Sequence, residues 1–124
     1  MGLYSKELLD HFHRPRNAGE IERPTAAAEA SNPVCGDMLK ISALVRDRVL
    51  VQVRFKAAGC VPALACGSWV AEYLQDKRLE GLSPVAPERI EQALGGMPKA
   101  SHHAAALASG AMQRLLEALT QAAL

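Results

Sequence analysis

The chain has 124 residues and a mass of 13.3 kDa, with 49% hydrophobic and 22% charged residues, which predicts one folded domain spanning residues 1–124. Its formal net charge of +1 does not favour a nucleic-acid-binding protein, because such proteins normally carry a clear basic surplus. No stretch matches the ~20 apolar residues that cross a bilayer, and the N-terminus lacks an apolar signal segment. We therefore expect a cytoplasmic protein that makes no membrane contact.

The first third of the chain predicts a short helix followed by a long loop. Apolar side chains recur at helical spacing over residues 3–12, where Ser5 is a suitable N-cap and Pro15 stops the helix. Residues 14–34 contain three prolines and predict an extended loop with at most one edge strand.

A β-hairpin is predicted next. Residues 39–45 and 49–55 alternate between apolar and other positions on the two sides of Arg46-Asp47-Arg48. Because successive side chains on a strand point to opposite faces, this pattern indicates two antiparallel strands with one buried face.

Three helices are predicted after the hairpin. The first opens near Pro62 and ends between Lys77 and Gly81, the second begins at Pro87, and Ser101 caps a long final helix. The predicted fold class is therefore α+β, with the helices packed on one face of a small antiparallel sheet.

The chain contains three cysteines, Cys35, Cys60 and Cys66. An odd number in a cytoplasmic chain argues against a disulfide framework. Cys66 falls on the apolar stripe of its predicted helix, which favours a buried thiol. The spacing of Cys35 and Cys60 leaves open whether they bind a metal or are simply buried small side chains.

Side chains that can bind metals collect at predicted turns. Cys35 and Asp37 precede the first hairpin strand, and Cys60 precedes a helix whose dipole favours the thiolate form. His102 and His103 lie in the first turn of the last helix, where the dipole favours a neutral, metal-binding imidazole. Alternatively, the two histidines could simply be exposed side chains at a helix end, with no metal-binding role. The residues alone therefore indicate a small α+β domain in which a Cys/His/Asp metal site is one of two interpretations.

Four motifs, in this order and spacing, resemble the U-type iron–sulfur cluster scaffold family, which includes IscU, SufU and the N-terminal domain of NifU. The motifs are Asp10-His11-Phe12 with Pro15-Arg16-Asn17, Asn32-Pro33-Val34-Cys35-Gly36-Asp37, Phe55-Lys56-Ala57-Ala58-Gly59-Cys60, and His103 followed by Leu107-Ala108 and Ala111. The likeness covers residues 4–116, which is nearly the whole chain.

The resemblance implies a scaffold or carrier protein and not an enzyme. Members of the family bind iron and a transient [2Fe-2S] cluster, take sulfur from a cysteine desulfurase, and pass the cluster to iron–sulfur acceptor proteins. Carried over to this chain, the ligands are Cys35, Asp37, Cys60 and His103. The resemblance also implies a monomer or a weak homodimer.

The chain departs from the family at the third cysteine, which directly follows the ligand histidine in the family pattern. In a gapless register His103 takes the place of that histidine and Ala104 the place of the cysteine. A one-residue slip would place His102 and His103 there instead. We prefer the gapless register because the flanking Met-Pro and Leu-Ala pairs then both fit. Neither register supplies a third thiol.

Two alternatives remain at this point. The same four ligands would suit tetrahedral Zn²⁺, so the chain could be a zinc-binding relative that acts as a sulfur relay or as a regulator of a cysteine desulfurase. A plain interaction module without a metal is the other alternative. It would make the presence of three ligand types at strand and helix ends accidental.

Overall fold

A computed structural model describes residues 3–34 and 36–122 of the chain. Within these residues a three-stranded antiparallel sheet is combined with α-helices. In chain order the elements are helix α1 (Lys6–His13), strands β1 (Ala26–Asn32), β2 (Asp37–Arg46) and β3 (Val49–Ala58), and helices α2 (Val61–Leu74), α3 (Pro87–Ala93) and α4 (His102–Gln121), with a 3-10 turn over Lys99–Ser101 before α4. The strand order in the sheet is β1-β2-β3.

The predicted hairpin is confirmed as β2 and β3. The two strands pair antiparallel, and both turn residues, Asp47 and Arg48, adopt positive φ angles. Ile41 lies opposite Phe55, and both side chains are buried. Leu39, Ile41, Ala43, Val53 and Phe55 form one buried face, as predicted. The prediction is wrong at the start of β3, because an irregularity in the register between Leu44 and Val45 interrupts the alternation, so that Leu50 is buried and Val51 is exposed.

Helices α2 and α4 cover this buried face, with α2 over β2 and β3, and α4 over β1 and β2. Helix α1 packs on α2, and α3 packs on α4. Helix α2 approaches the sheet closely at Gly67, where an added Cβ would lie 2.7 Å from the Cδ2 atom of Phe55. The predicted α+β class, with helices on one face of the sheet, is confirmed. None of the described helices is long and apolar enough to cross a membrane.

The two edges of the sheet differ. At the outer edge of β3, the Phe55 amide donates to the Asn17 carbonyl at 3.0 Å, and the Leu50 amide donates to the Lys77 carbonyl at 2.8 Å. The other edge is β1, which confirms the edge strand predicted within residues 14–34. No strand of the described chain pairs with the outer side of β1.

Two predicted helix limits are wrong. Helix α1 starts after Ser5 and not at residue 3, because the Ser5 hydroxyl accepts a hydrogen bond from the Leu8 amide at 3.0 Å and caps the helix there. Helix α2 ends at Leu74, before the predicted limit. Asp76 adopts a φ of +69°, and its amide donates to the Leu50 carbonyl, so the chain turns back towards β3.

Ser101 occupies the N-cap position of α4, as predicted, but its side chain makes no capping hydrogen bond. The 3-10 turn before α4 explains this difference. The Ser101 amide already donates to the Pro98 carbonyl at 2.8 Å, so the chain enters the helix from a turn and not from an extended segment.

Candidate metal centre

Asp37 is a buried carboxylate at the start of β2, with 2% of the residue exposed. Gly36, with a φ of +77°, and a 2.8 Å hydrogen bond from its amide to the Asn32 carbonyl turn the chain from β1 into β2. A buried carboxylate needs hydrogen-bond donors, and the Cys60 amide supplies one to Oδ1 at 3.1 Å. The start of β2 is thereby joined to the start of α2.

Gly59 allows this close approach. Its φ is +131°, and a Cβ at this position would lie 2.0 Å from Oδ1 and 2.7 Å from Cγ of Asp37. Only glycine fits such a backbone beside such a neighbour. Gly59 was not predicted to have a role of its own, although a glycine at a strand-to-helix junction was the available signal.

Cys60 is the N-cap residue of α2, and its Sγ donates to the Oδ2 of Asp37 at 3.1 Å. Burial raises the pKa of the Cys60 thiol, and the hydrogen bond to Asp37 raises that pKa further. These effects oppose the helix dipole, so the predicted preference for the thiolate is not found in the chain by itself. A metal ion that binds Sγ would release this proton.

The two histidines of the first turn of α4 point to different surroundings. His103 Nε2 lies 3.1 Å from Oδ2 of Asp37 and 3.7 Å from Sγ of Cys60. His102 Nε2 lies 3.2 Å from the Oε1 atom of Glu91, outside this group. Successive residues of a helix point about 100° apart, and here His103 faces Asp37 whereas His102 faces Glu91. This placement agrees with the gapless register.

Three side chains of different chemistry therefore converge from three elements. The ligand atoms of Asp37, Cys60 and His103 all lie within 4.8 Å of one another. Ligand atoms bonded at about 2.0–2.3 Å to one tetrahedral ion lie roughly 3.3–3.8 Å apart, close to the spacing found here. A thiol, an imidazole and a carboxylate form a set that suits iron or zinc. Cys35, the fourth predicted ligand, lies outside the described residues.

Neither Cys66 nor Ala104 adds a ligand to this group. Cys66 is fully buried in α2, as predicted, and burial raises the pKa of its thiol to about 12. Ala104, which the gapless register places at the family's third cysteine, is also fully buried, and its methyl group cannot bind a metal.

A polar network that was not predicted from the sequence connects the N-terminal residues to α2. Ser68 is fully buried, its Oγ accepts from the Arg16 amide at 2.8 Å, and it lies 2.8 Å from Nδ1 of His11. Glu72 lies 3.7 Å from the Nε2 atom of His11. Burial lowers the pKa of His11, and the Arg16 charge lowers that pKa further. The available signal was a serine inside an otherwise apolar helix, together with the Asp10-His11 and Pro15-Arg16 motifs.

Comparison with known proteins agrees with the fold and with the motifs. Residues 3–122 match the NifU-like N terminal domain family. This chain belongs to that family. The iron–sulfur cluster assembly scaffold protein IscU 1 of Archaeoglobus fulgidus is 35% identical over 114 residues, which cover 92% of this chain and 74% of the relative.

Two further relatives extend the comparison. The iron–sulfur cluster assembly scaffold protein IscU of Aquifex aeolicus is 33% identical over 102 residues, which cover 81% of this chain and 65% of that protein. The crystal structure of a NifU-like N-terminal domain from Brucella abortus superposes with a TM-score of 0.75 at 19% identity, covering 96% of this chain and 95% of that one. At this identity the structural likeness shows the shared fold.

Proposed function

We propose that this chain is an iron–sulfur cluster assembly scaffold that holds iron and a transient [2Fe-2S] cluster as its cargo. The observation that supports this most directly is the convergence of Asp37, Cys60 and His103 in a member of a family whose relatives bear that name. Cys35 is proposed as the fourth ligand on the motif it shares with Asp37. The names of these relatives favour an iron–sulfur cargo over the zinc alternative.

The donor set suits a cargo that must leave again. A cluster is normally held by four thiolates, and histidine can replace cysteine at one iron, as in Rieske centres. With Cys35 and Cys60 as thiolates, His103 and Asp37 complete four ligands of mixed softness. A carboxylate is a harder ligand than a thiolate, so its bond to iron is more easily exchanged. The ligand set therefore favours release to a protein that offers more cysteines.

We further propose that a cysteine desulfurase supplies sulfur to this site and that iron–sulfur acceptor proteins remove the finished cluster. The scaffold names of the relatives support this general scheme. We infer a binding and transfer role in place of a catalysed reaction. The cytoplasmic location and the monomeric or weakly dimeric state stay predictions from the sequence.

Anaerobic reconstitution, followed by iron and acid-labile sulfide counts per chain, tests the proposal. The native chain should retain iron and sulfide in equal amounts, and Cys60→Ser should retain at least about tenfold less, because a tenfold loss corresponds to only about 1.4 kcal/mol of binding free energy. Cys66→Ala is the matched control, because it also removes a thiol and should leave both counts unchanged. Tightly bound zinc without sulfide in the native chain would refute the cluster assignment.

Restoring the missing thiol gives a second test of the ligand register. Ala104→Cys should lengthen the lifetime of the reconstituted cluster, because a third thiolate could replace the Asp37 carboxylate or the His103 imidazole and binds iron more strongly than either of them. Gln113→Cys, on an exposed position of the same helix ten residues from His103, is the control and should change nothing. An equal effect of both variants would show that Ala104 does not occupy the position of the family's third cysteine.

A further inference from the structure

A groove of about 340 Å³ runs from the metal centre along the line where α4 crosses β1. Residues 30–33 form its strand wall, and His103, Ala106, Gly110 and Arg114 form its helix wall. His103 belongs both to the groove and to the group of possible metal ligands. A molecule lying in the groove would therefore reach the metal centre at one end.

The helix wall includes small side chains that project little into the groove. An added Cβ at Gly110 would meet no atom of the described chain within 4 Å. Glycine inside a helix is less stable than alanine, and no contact among the described residues requires it at this position. The position leaves room for an incoming backbone to approach α4 closely.

The strand wall offers backbone hydrogen bonds. No strand pairs with the outer edge of β1 within the described residues, and an edge strand presents N–H and C=O groups to an extended chain. The Glu29 carbonyl of β1 is an exception, because it already accepts a hydrogen bond from Arg114. His103 and Arg114 are eleven positions apart on one helix, a distance of about 16 Å at ~1.5 Å per residue. About five residues of extended chain, at ~3.3 Å each, would span this distance.

The far end of the groove carries a positive charge. Arg114 is exposed, and its Nη1 donates to the Glu29 carbonyl at 3.0 Å. Among the described residues Arg114 makes no ion pair, the Glu29 carboxylate included, and no acidic side chain lines the groove. A guanidinium has five N–H donors, so most of them are available to a carboxylate.

We propose that this groove binds an extended acidic segment of a partner protein, added as a fourth strand along β1, with a carboxylate at Arg114 and a cysteine at the His103 end. The inference rests on the proposed scaffold function, because a cysteine delivered there would lie beside the cargo. Strand addition supplies affinity through the backbone, and the Arg114 charge selects an acidic segment.

Peptide binding to the metal-free chain tests this directly. The probe is a fluorescein-labelled peptide, Asp-Thr-Val-Thr-Val-Cys, measured by fluorescence anisotropy together with its reversed sequence, because the strand direction is open. At least one of the two should bind about tenfold or more tightly than its counterpart with lysine in place of aspartate. Gly110→Trp should abolish binding, because the indole would fill the groove.

Arg114→Gln and Gln113→Glu form a matched pair, since each lowers the net charge by one unit on an exposed position of α4. Arg114→Gln should weaken acidic-peptide binding about tenfold, and Gln113→Glu should leave it unchanged because it lies outside the groove. Circular dichroism and urea unfolding confirm that each variant is folded. Any of three outcomes would overturn the proposal: equal effects of the two variants, equal binding of acidic and basic peptides, or no binding to the native chain. Because the experiment uses no iron or sulfide, its failure is distinct from a failed reconstitution.

Discussion

Replacing Gly59 by alanine is the sharpest single perturbation of the metal centre. An alanine Cβ would lie 2.0 Å from Oδ1 and 3.0 Å from the backbone Cα of Asp37, inside the roughly 3.5 Å at which heavy atoms normally touch. The Cα atom belongs to the first residue of β2, which is held by its pairing with β1, so the Asp37 side chain must move.

Two effects set the magnitude. A side chain at a φ of +131° costs about 1–3 kcal/mol, because this region is almost closed to residues other than glycine. Displacing the buried Asp37 carboxylate also breaks its hydrogen bond with the Cys60 amide and leaves polar groups unpaired, which costs about 1–3 kcal/mol more. We expect Gly59→Ala to lower the free energy of unfolding by about 2–6 kcal/mol.

Urea unfolding at neutral pH measures this difference, and Gly81→Ala is the control. Gly81 has a φ of +76°, and an added Cβ there would meet nothing within 4 Å, so only the left-handed backbone cost of about 1–2 kcal/mol applies. If Gly59→Ala destabilises the protein no more than Gly81→Ala, the carboxylate does not occupy the position described. Gly59→Ala should also lose reconstituted iron, because two of the three converging ligands, Asp37 and Cys60, depend on the hydrogen bond between them.

Three further outcomes follow from the packing of the helices. The pKa of His11 is lowered in the folded chain, so below about pH 6.5 the unfolded chain takes up a proton that the folded chain resists. Stability should therefore fall as the pH drops from about 8 to about 5, and it should fall less steeply in His11→Asn than in the exposed control His13→Asn. Equal slopes for the two variants would contradict the buried position of His11. Gly110→Ala should stabilise the protein by about 0.5–1 kcal/mol, because the new methyl group meets no atom. Gly67→Ala should destabilise it by about 1–3 kcal/mol, because the methyl group would press on Phe55. Thermal and urea unfolding measure the stability of the two glycine variants. A less stable Gly110→Ala together with a more stable Gly67→Ala would refute the described packing.

The order of elements could be predicted because the relevant signals are local. Alternation marked the hairpin strands, Pro87 marked the start of α3, and the Ser5 hydroxyl caps α1 as expected. The end of α2 was not predictable in the same way. It depends on Asp76 turning towards Leu50, and this contact joins parts of the chain that no sequence pattern connects.

The candidate site likewise has features that could be predicted from local signals and features that could not. Strand and helix ends carrying Asp37, Cys60 and His103 were predicted as ligand positions, and the fold brings these three side chains together. To choose between His102 and His103 one must know how α4 is rotated about its axis, and this rotation depends on how the helix packs on the sheet. The role of Gly59 required the position of a carboxylate that is 22 residues away in the sequence.

The distances between the converging ligands along the chain have a thermodynamic consequence. Asp37 is separated from Cys60 by 23 residues and from His103 by 66, so an unfolded chain does not hold these groups near one another. Anything that binds them together binds only the native state and stabilises it, by about 2.7 kcal/mol at a hundredfold excess over its Kd. A loaded chain should therefore melt at a higher temperature than an empty one. Handing over the cargo would leave the protein less stable than before, and occupancy could be followed by a simple melting curve.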